Sequence, residues 1–181
     1  MAKDFNQPDN ENYLSPVGFK FIVQSLPKVQ WFVQTVNLPG LSLPEVITPS
    51  PLLDTYIPGD NLVFEPLSVS FLVDEDMTNW VEVYNWLRGL SSPENSSEYS
   101  NFRNSNITTS GVASPTSREA IYSDATLIIL NSNMNPKHQI LFKELFPTNI
   151  STLNFSTIAG DIDYITADVT FRYSSYTYEK I

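Results

Sequence analysis

The sequence predicts a mainly β protein: an antiparallel β-sandwich or open barrel with one α-helix packed against it. Three observations carry this expectation. Short segments with period-two alternation of apolar residues occur on both sides of a single stretch with helical spacing. Strands and helices do not alternate, so a parallel βαβ sheet is not expected. No self-similarity appears at a period of roughly 20–50 residues, which sets aside solenoids and propellers.

Residues 1–16 are polar and rich in Asn and Asp, and read as an extended arm ahead of one domain over 17–181. Phe19, Phe21 and Val23 alternate with Lys20, Ile22 and Gln24, the period of a half-buried strand. Trp31 to Val36 predicts a second strand, closed by the turn residues Leu38-Pro39-Gly40. Residues 43–60 hold Pro44, Pro49, Pro51 and Pro58 among Leu, Ile and Tyr. Four prolines without ladder donors predict an extended loop outside any central sheet.

Leu67, Val69, Phe71 and Val73 line one face of the next strand, with Ser68 and Ser70 opposite. Asp74-Glu75-Asp76 then lead into a helix predicted over 77–89. Trp80, Val83, Tyr84 and Leu87 form its apolar stripe, and Arg88 and Gly89 suit its end. Residues 91–118 are dominated by Ser, Asn, Thr and Gly and predict a long surface loop. Strands are expected again at Ala125–Leu130 and Gln139–Leu145, joined by the turn-rich link 131–137. A closing hairpin is expected from Leu153–Ser156, a turn at Gly160-Asp161, and a strand from Tyr164 to Tyr173. About six to eight strands result. The last carries Ile165, Ala167, Val169, Phe171 and Tyr173 on one face and Thr166, Asp168, Thr170, Arg172 and Ser174 on the other.

Composition narrows the function. The chain has 181 residues, 41% hydrophobic and 13% aromatic, enough for a real core. With no cysteine, disulfides and thiolate metal sites are excluded, and one histidine leaves no His-rich metal cage. A net charge of −10 argues against conventional nucleic-acid binding and against anionic lipid. No apolar signal-type segment opens the chain and no long apolar run occurs, so neither a secretory signal nor a membrane helix is expected. The Asn-x-Ser/Thr sequons at Asn95, Asn106, Asn149 and Asn154 are then what an Asn- and Ser-rich chain produces by chance.

No enzyme constellation emerges. His138 reads as an exposed turn histidine, and no Gly-x-Ser-x-Gly elbow accompanies it. Asp74–Asp76 suit a helix start, and Asp161 and Asp163 suit a turn, although either group is the pair a glycan hydrolase would use. Neither follows the EF-hand spacing. No catalytic residue, cofactor or metal ligand is therefore assigned. A β-sandwich adhesion or carbohydrate-binding module is a second reading, through Trp31, Tyr176, Tyr178 and the Asn/Ser-rich loop. The face Thr166, Asp168, Thr170, Arg172, Ser174 is small and polar, suited to a wall that something passes without sticking.

Several motifs occur in a familiar order. They are Thr35-Val36-Asn37-Leu38-Pro39-Gly40, then Glu65-Pro66-Leu67-Ser68-Val69-Ser70-Phe71 with acids and Trp80 to Leu87. Glu144-Leu145-Phe146-Pro147-Thr148-Asn149-Ile150, Leu153-Asn154-Phe155 and Asp168-Val169-Thr170-Phe171-Arg172-Tyr173 follow. This order, over 18–90 and 120–178, resembles the tail-tube proteins of contractile-tailed bacteriophages and their baseplate-proximal tube-initiating relatives.

The resemblance implies a structural virion protein whose subunits close into homohexameric rings around a shared β-barrel and an acidic lumen for DNA passage. It implies Thr166, Asp168, Thr170, Arg172 and Ser174 as lumen-facing candidates. Leu52, Leu53, Tyr56, Ile57, Pro58 and Asp60 become inter-subunit loop candidates. Implied partners are further copies of the chain in stacked rings, a tail sheath, baseplate or neck proteins, and transient DNA without specific binding; no membrane is involved. The implied place is the virion tail, assembled in the bacterial cytoplasm. The long 91–118 segment and the Asn/Asp-rich arm favour the alternative of a specialised ring, tube-initiating or tube-terminating, at the baseplate or neck.

Overall fold

The computed structural model describes residues 13–91, 97, 99–101, 121–157 and 164–181. The predicted turn at Gly160-Asp161, Asp163 and most of 91–118 lie outside these residues. Among the described residues there are eleven strands and one long helix.

Strand β1 is Phe19–Val23, as predicted, and it turns Phe21 and Val23 into the core. A 3-10 turn, Val29–Trp31, precedes β2, Val33–Val36, so the expected strand from Trp31 is shorter. Val29 is buried, and it pulls the chain into a tight turn where a strand would have carried it past the core. Two short strands, β3 (Leu41–Ser42) and β6 (Val63–Phe64), pair with each other. Between them β4 (Glu45–Thr48) and β5 (Thr55–Pro58) form a second two-stranded unit. The expected loop over 43–60 is thus a β-hairpin. Its prolines stand where a missing donor costs little: Pro44 before β4, Pro49 and Pro51 in the connection, Pro58 at the end of β5.

Strand β7 (Leu67–Leu72) buries Leu67, Val69 and Phe71. Helix α1 (Thr78–Ser91) follows a left-handed Met77 (φ 54°). None of the three acids lies in the helix's first turn; Asp74 instead accepts a hydrogen bond from Thr78 Oγ1 (3.1 Å). The buried stripe is Asn79, Val83, Trp86 and Gly89, rotated from the predicted one. Asn79 can be buried because its amide donates to the Leu72 carbonyl (2.7 Å) and its oxygen accepts the Asp74 N–H (3.2 Å). Trp80 and Tyr84 are displaced to the stripe's margin, where their rings stack at 5.3 Å. Gly89 is interior and does not end the helix.

Strands β8 (Ser123–Leu130) and β9 (Pro136–Ile150) form a hairpin. β9 starts earlier and runs five residues further than predicted, through Pro147. It bends at Glu144, whose φ of 53° is left-handed. Leu153–Ser156 is not a strand. β10 (Thr166–Arg172) and an unpredicted β11 (Ser175–Lys180) both pair antiparallel with β9, β10 with 146–150 and β11 with 138–143. From Phe171↔Pro147 to Lys180↔His138 the register does not slip. β10 and β11 are therefore one long strand interrupted at Tyr173-Ser174, lying along the whole of β9.

The main sheet has the order β1-β8-β9-β10-β7-β2, with β11 also on β9. β9 is long enough to serve two halves. One is β1-β8-β9-β11; the other is the end of β9, then β10, β7 and β2. Their apolar faces share one core, with Phe21, Leu127, Ile140 and Phe142 from the first half and Val69, Phe71, Ala167, Val169 and Phe171 from the second. Trp86 of α1 lies 6.4 Å from Phe171 and donates from its indole to the Ile121 carbonyl (3.3 Å).

Candidate functional site

The alternation read from β10 places its side chains as expected. Ala167, Val169 and Phe171 are buried, while Thr166, Asp168 and Arg172 are exposed and Thr170 is half-buried. Cross-strand register extends that outer face into rows. Thr35, Ser70 and Asp168 form one; Ser68, Thr170 and Asn149 form another. In the sequence the serines mark only the outside of a separate strand, because nothing there says that β7 pairs with β10.

The result is a wall of hydroxyls and short polar groups, tied together laterally. Ser70 Oγ donates to Asp168 Oδ1, the Asp168 N–H donates to Ser151 Oγ (2.9 Å), and Thr148 Oγ1 donates to the Thr170 carbonyl (3.0 Å). Of the five residues singled out, Asp168 and Arg172 carry opposite formal charges, so that set is neutral. Arg172 reaches back to the Phe64 carbonyl (3.3 Å). Ser174 lies in the bend beyond β10, and its hydroxyl donates to Glu144 Oε2. The acids Asp74–Asp76 follow β7 at the end of the wall where β10 begins, since the Val73 N–H donates to the Ile165 carbonyl (2.9 Å).

This half has two open borders among the described residues: β2, which pairs only with β7, and the 146–150 stretch of β9, beyond the end of β8. All neighbouring strands are antiparallel, so the four strands alternate in direction and the two borders run opposite ways.

The hairpin β4–β5 is the second feature. Val46 pairs with Ile57 and Ile47 with Tyr56, so the ribbon is apolar on both faces. All eight strand residues are exposed, and Leu52 and Leu53 at the connection are 98% and 77% exposed. Pro58 pairs with Glu45, and Asp60 is exposed just past the base. The four prolines of this span hide the pairing of Val46 and Ile47 with Ile57 and Tyr56 from the sequence. Such a ribbon does not hold apolar surface in water without something to lie on. Gly59 closes its base: its N–H donates to the Pro44 carbonyl (2.8 Å), and a Cβ there would sit 2.5 Å from that oxygen.

The β3–β6 pair from which the hairpin extends is held on the β9–β10–β11 ribbon by a ring cluster of Phe64, Phe142, Tyr173 and Tyr176, with centroid distances of 5.1–6.0 Å. Tyr173 donates to the Glu65 carbonyl (2.8 Å) and Tyr176 to the Pro39 carbonyl (3.2 Å). Tyr176 is thus a packed residue of β11 and not an exposed ring for a sugar, as the carbohydrate-binding reading requires. Tyr178 sits apart, stacked on His138 and hydrogen-bonded to its Nδ1 (2.7 Å). His138 belongs to β9, not to a turn. Trp31 ends the 3-10 turn before β2, whereas Tyr176 and Tyr178 share β11, so the aromatic residues of the carbohydrate-binding reading are divided between two elements.

Burial pushes the Tyr173 phenol up to about 12, with Tyr176 adding to the rise. A phenol that ionises later in the folded state than in the unfolded chain favours folding below its unfolded value and loses that contribution as pH rises toward 12. We expect stability to fall between about pH 10 and 12, and Tyr173→Phe to flatten that slope in alkaline denaturation curves. At α1, burial raises the Glu82 carboxyl, opposed by the Lys28 N–H and ammonium.

No family model matches the chain. A curated relative, the tail tube terminator protein of Enterobacteria phage T4, is 28% identical over 184 residues, covering 99% of this chain and 93% of that protein. The sheath/tube terminator of the PVC extracellular contractile injection system, in its extended state, matches with a TM-score of 0.63 at 13% identity, over 94% of this chain and 99% of its own. The tube-terminating cap of the anti-feeding prophage matches over 100% of both chains, with a TM-score of 0.60 and 10% identity. The PVC sheath–tube complex, also extended, gives 0.62 at 12% identity over 94% of both chains. The resemblance drawn from the motifs is borne out: the chain is similar in sequence to a phage tail tube terminator and shares its fold with tube and terminator structures of contractile injection systems.

Proposed function

We propose that this chain is a structural component of a contractile tail, forming the ring that terminates the tail tube and not the repeating tube subunit. The observation that carries the reading is the near full-length similarity to a tail tube terminator, with terminator and cap structures sharing the fold. It favours the specialised-ring alternative of the sequence reading.

The geometry supplies a means of closure. Four strands alternating in direction, with open borders at β2 and β9, continue antiparallel when the same face is repeated by rotation. The β2 of one copy then meets the 146–150 stretch of the next, and no border stays unpaired. We place the hydroxyl wall on the inside of this ring. Short hydroxyl-bearing side chains, already bonded to one another and nearly balanced in charge, give a passing phosphate chain no cationic grip. Acid enters at the rim through Asp74–Asp76, and the whole ring carries about −60 as a hexamer. Residues 17–181 act as one domain in this reading, and the arm 1–16 precedes it.

The hairpin β4–β5 lies on a neighbouring subunit, of this ring or of the tube ring beneath it. Sheath and baseplate or neck proteins are the further partners, the virion tail is the place of action, and the role involves no catalysis. The test is copy number and position: labelled chain in purified particles should mark one end of the tube, at one ring per particle. Label spread along the tube would return the reading to a repeating subunit, and its absence from tails would end it.

A further inference from the structure

The two open borders each carry a solvent-facing aromatic residue at the same end of the sheet. Trp31 is 80% exposed and Phe155 is 73% exposed. Trp31 ends the 3-10 turn, where the Phe32 carbonyl accepts the Leu72 N–H (2.9 Å), and Leu72 stands opposite Thr166. On the other border the Ser151 N–H donates to the Asp168 carbonyl (2.8 Å), two residues from Thr166, and Phe155 follows four residues after Ser151 as the chain leaves β9 toward that end. Trp31 and Phe155 thus flank the same edge of the four-stranded half from opposite sides.

Trp31 is held outward by a fixed mount. Val29 is buried, the Lys28 N–H donates to Glu82 Oε2 (3.3 Å), and the Lys28 ammonium stands 3.9 Å from Glu82 Oε1 on α1. Phe155 follows Leu153, which packs against the core. A large ring presented on a preset turn loses little freedom on docking, which is what gives interface aromatic residues their weight.

We propose that Trp31 of one copy packs against Phe155 of the next, an aromatic staple across each junction of the ring. The staple rests on the ring reading above, because only rotation of like copies brings the two borders together. The occupant is a second copy of this chain, and the opposed strand directions of the borders make the pair meet at one end.

Trp31 also provides the readout. The other two tryptophans are packed, Trp86 buried in the core and Trp80 stacked under Tyr84. Ring formation, followed by light scattering, should therefore carry a blue shift of tryptophan emission that Trp31→Phe lacks. Trp31→Ala or Phe155→Ala should raise the concentration at which rings dissociate by roughly thirtyfold. The chain has no cysteine, so Trp31→Cys combined with Phe155→Cys can be treated with a short bis-maleimide. A ladder of linked copies, absent from either single variant, is the expected result. Rings that form with no emission shift, no ladder and an unchanged dissociation point overturn the staple and leave the ring standing. A wild-type chain that never leaves the monomer overturns both.

Discussion

Replacing Leu52, Leu53, Tyr56 and Ile57 together with serine should leave the isolated chain folded and abolish its assembly. None of the four contributes to the core, and all are exposed on the hairpin. Surface changes of this kind move stability by only about 0.5 kcal/mol, so the thermal midpoint should barely change. Docking is another matter. Each large apolar side chain covered by a partner is worth about 1.5–3 kcal/mol before losses. Even after generous discount for ordering, the quadruple change should remove at least about 3 kcal/mol, more than a hundredfold in affinity. Sedimentation velocity at matched concentrations reads the outcome. Unaltered assembly would show that the hairpin projects without covering anything, and the proposed subunit contact would fail.

Phe142→Ala should have the largest effect on stability. Phe142 is 1% exposed, sits on β9, and its ring meets Tyr173 at 5.1 Å and Tyr176 at 5.7 Å. Truncating a buried Phe costs about 3–5 kcal/mol through lost transfer energy and the cavity left behind. The same ring supports the root of the hairpin, so hydrogen exchange should quicken at Gly59 as well as in β9. Phe142→Leu should recover most of the loss. A urea midpoint that drops in the alanine variant while the slope stays constant would identify lost packing and not a changed unfolded state. A cost below about 1 kcal/mol would mean that the ring cluster does not couple the hairpin to the ribbon.

What could be read from the sequence follows from where one face meets water and the other meets the core. β1 and β10 have such faces, and their alternation placed Phe21, Val23, Ala167, Val169 and Phe171 correctly. The hairpin has no such contrast, since Val46 and Ile57 on one face are as apolar as Ile47 and Tyr56 on the other. Its prolines then read as breakers, although all four stand at strand ends or in the connection. The phase of α1 was misread because Asn79 is buried on the strength of backbone hydrogen bonds, which hydrophobicity does not report. β9 outran its predicted end because Pro147 is tolerated on a border strand. β11 has no fully buried residue, so no core-facing alternation marks it in the sequence, although its partners 138–143 fall almost wholly within the strand expected there. The polar wall was half legible: β10 showed its own contribution, but Ser70 and Thr35 join it only through pairings across long stretches of chain.

The run of β10 into β11 along β9, in one register from Phe171 to Lys180, also bears on how the molecule carries load. One pair of strands crosses from one half of the sandwich to the other, so a pull on either half travels along covalent backbone. Strands dragged lengthwise share the strain over every rung at once, whereas strands peeled from a border give way one rung at a time. In the terminating ring proposed above, a lengthwise pull from a contracting sleeve would meet rungs set crosswise to the tug.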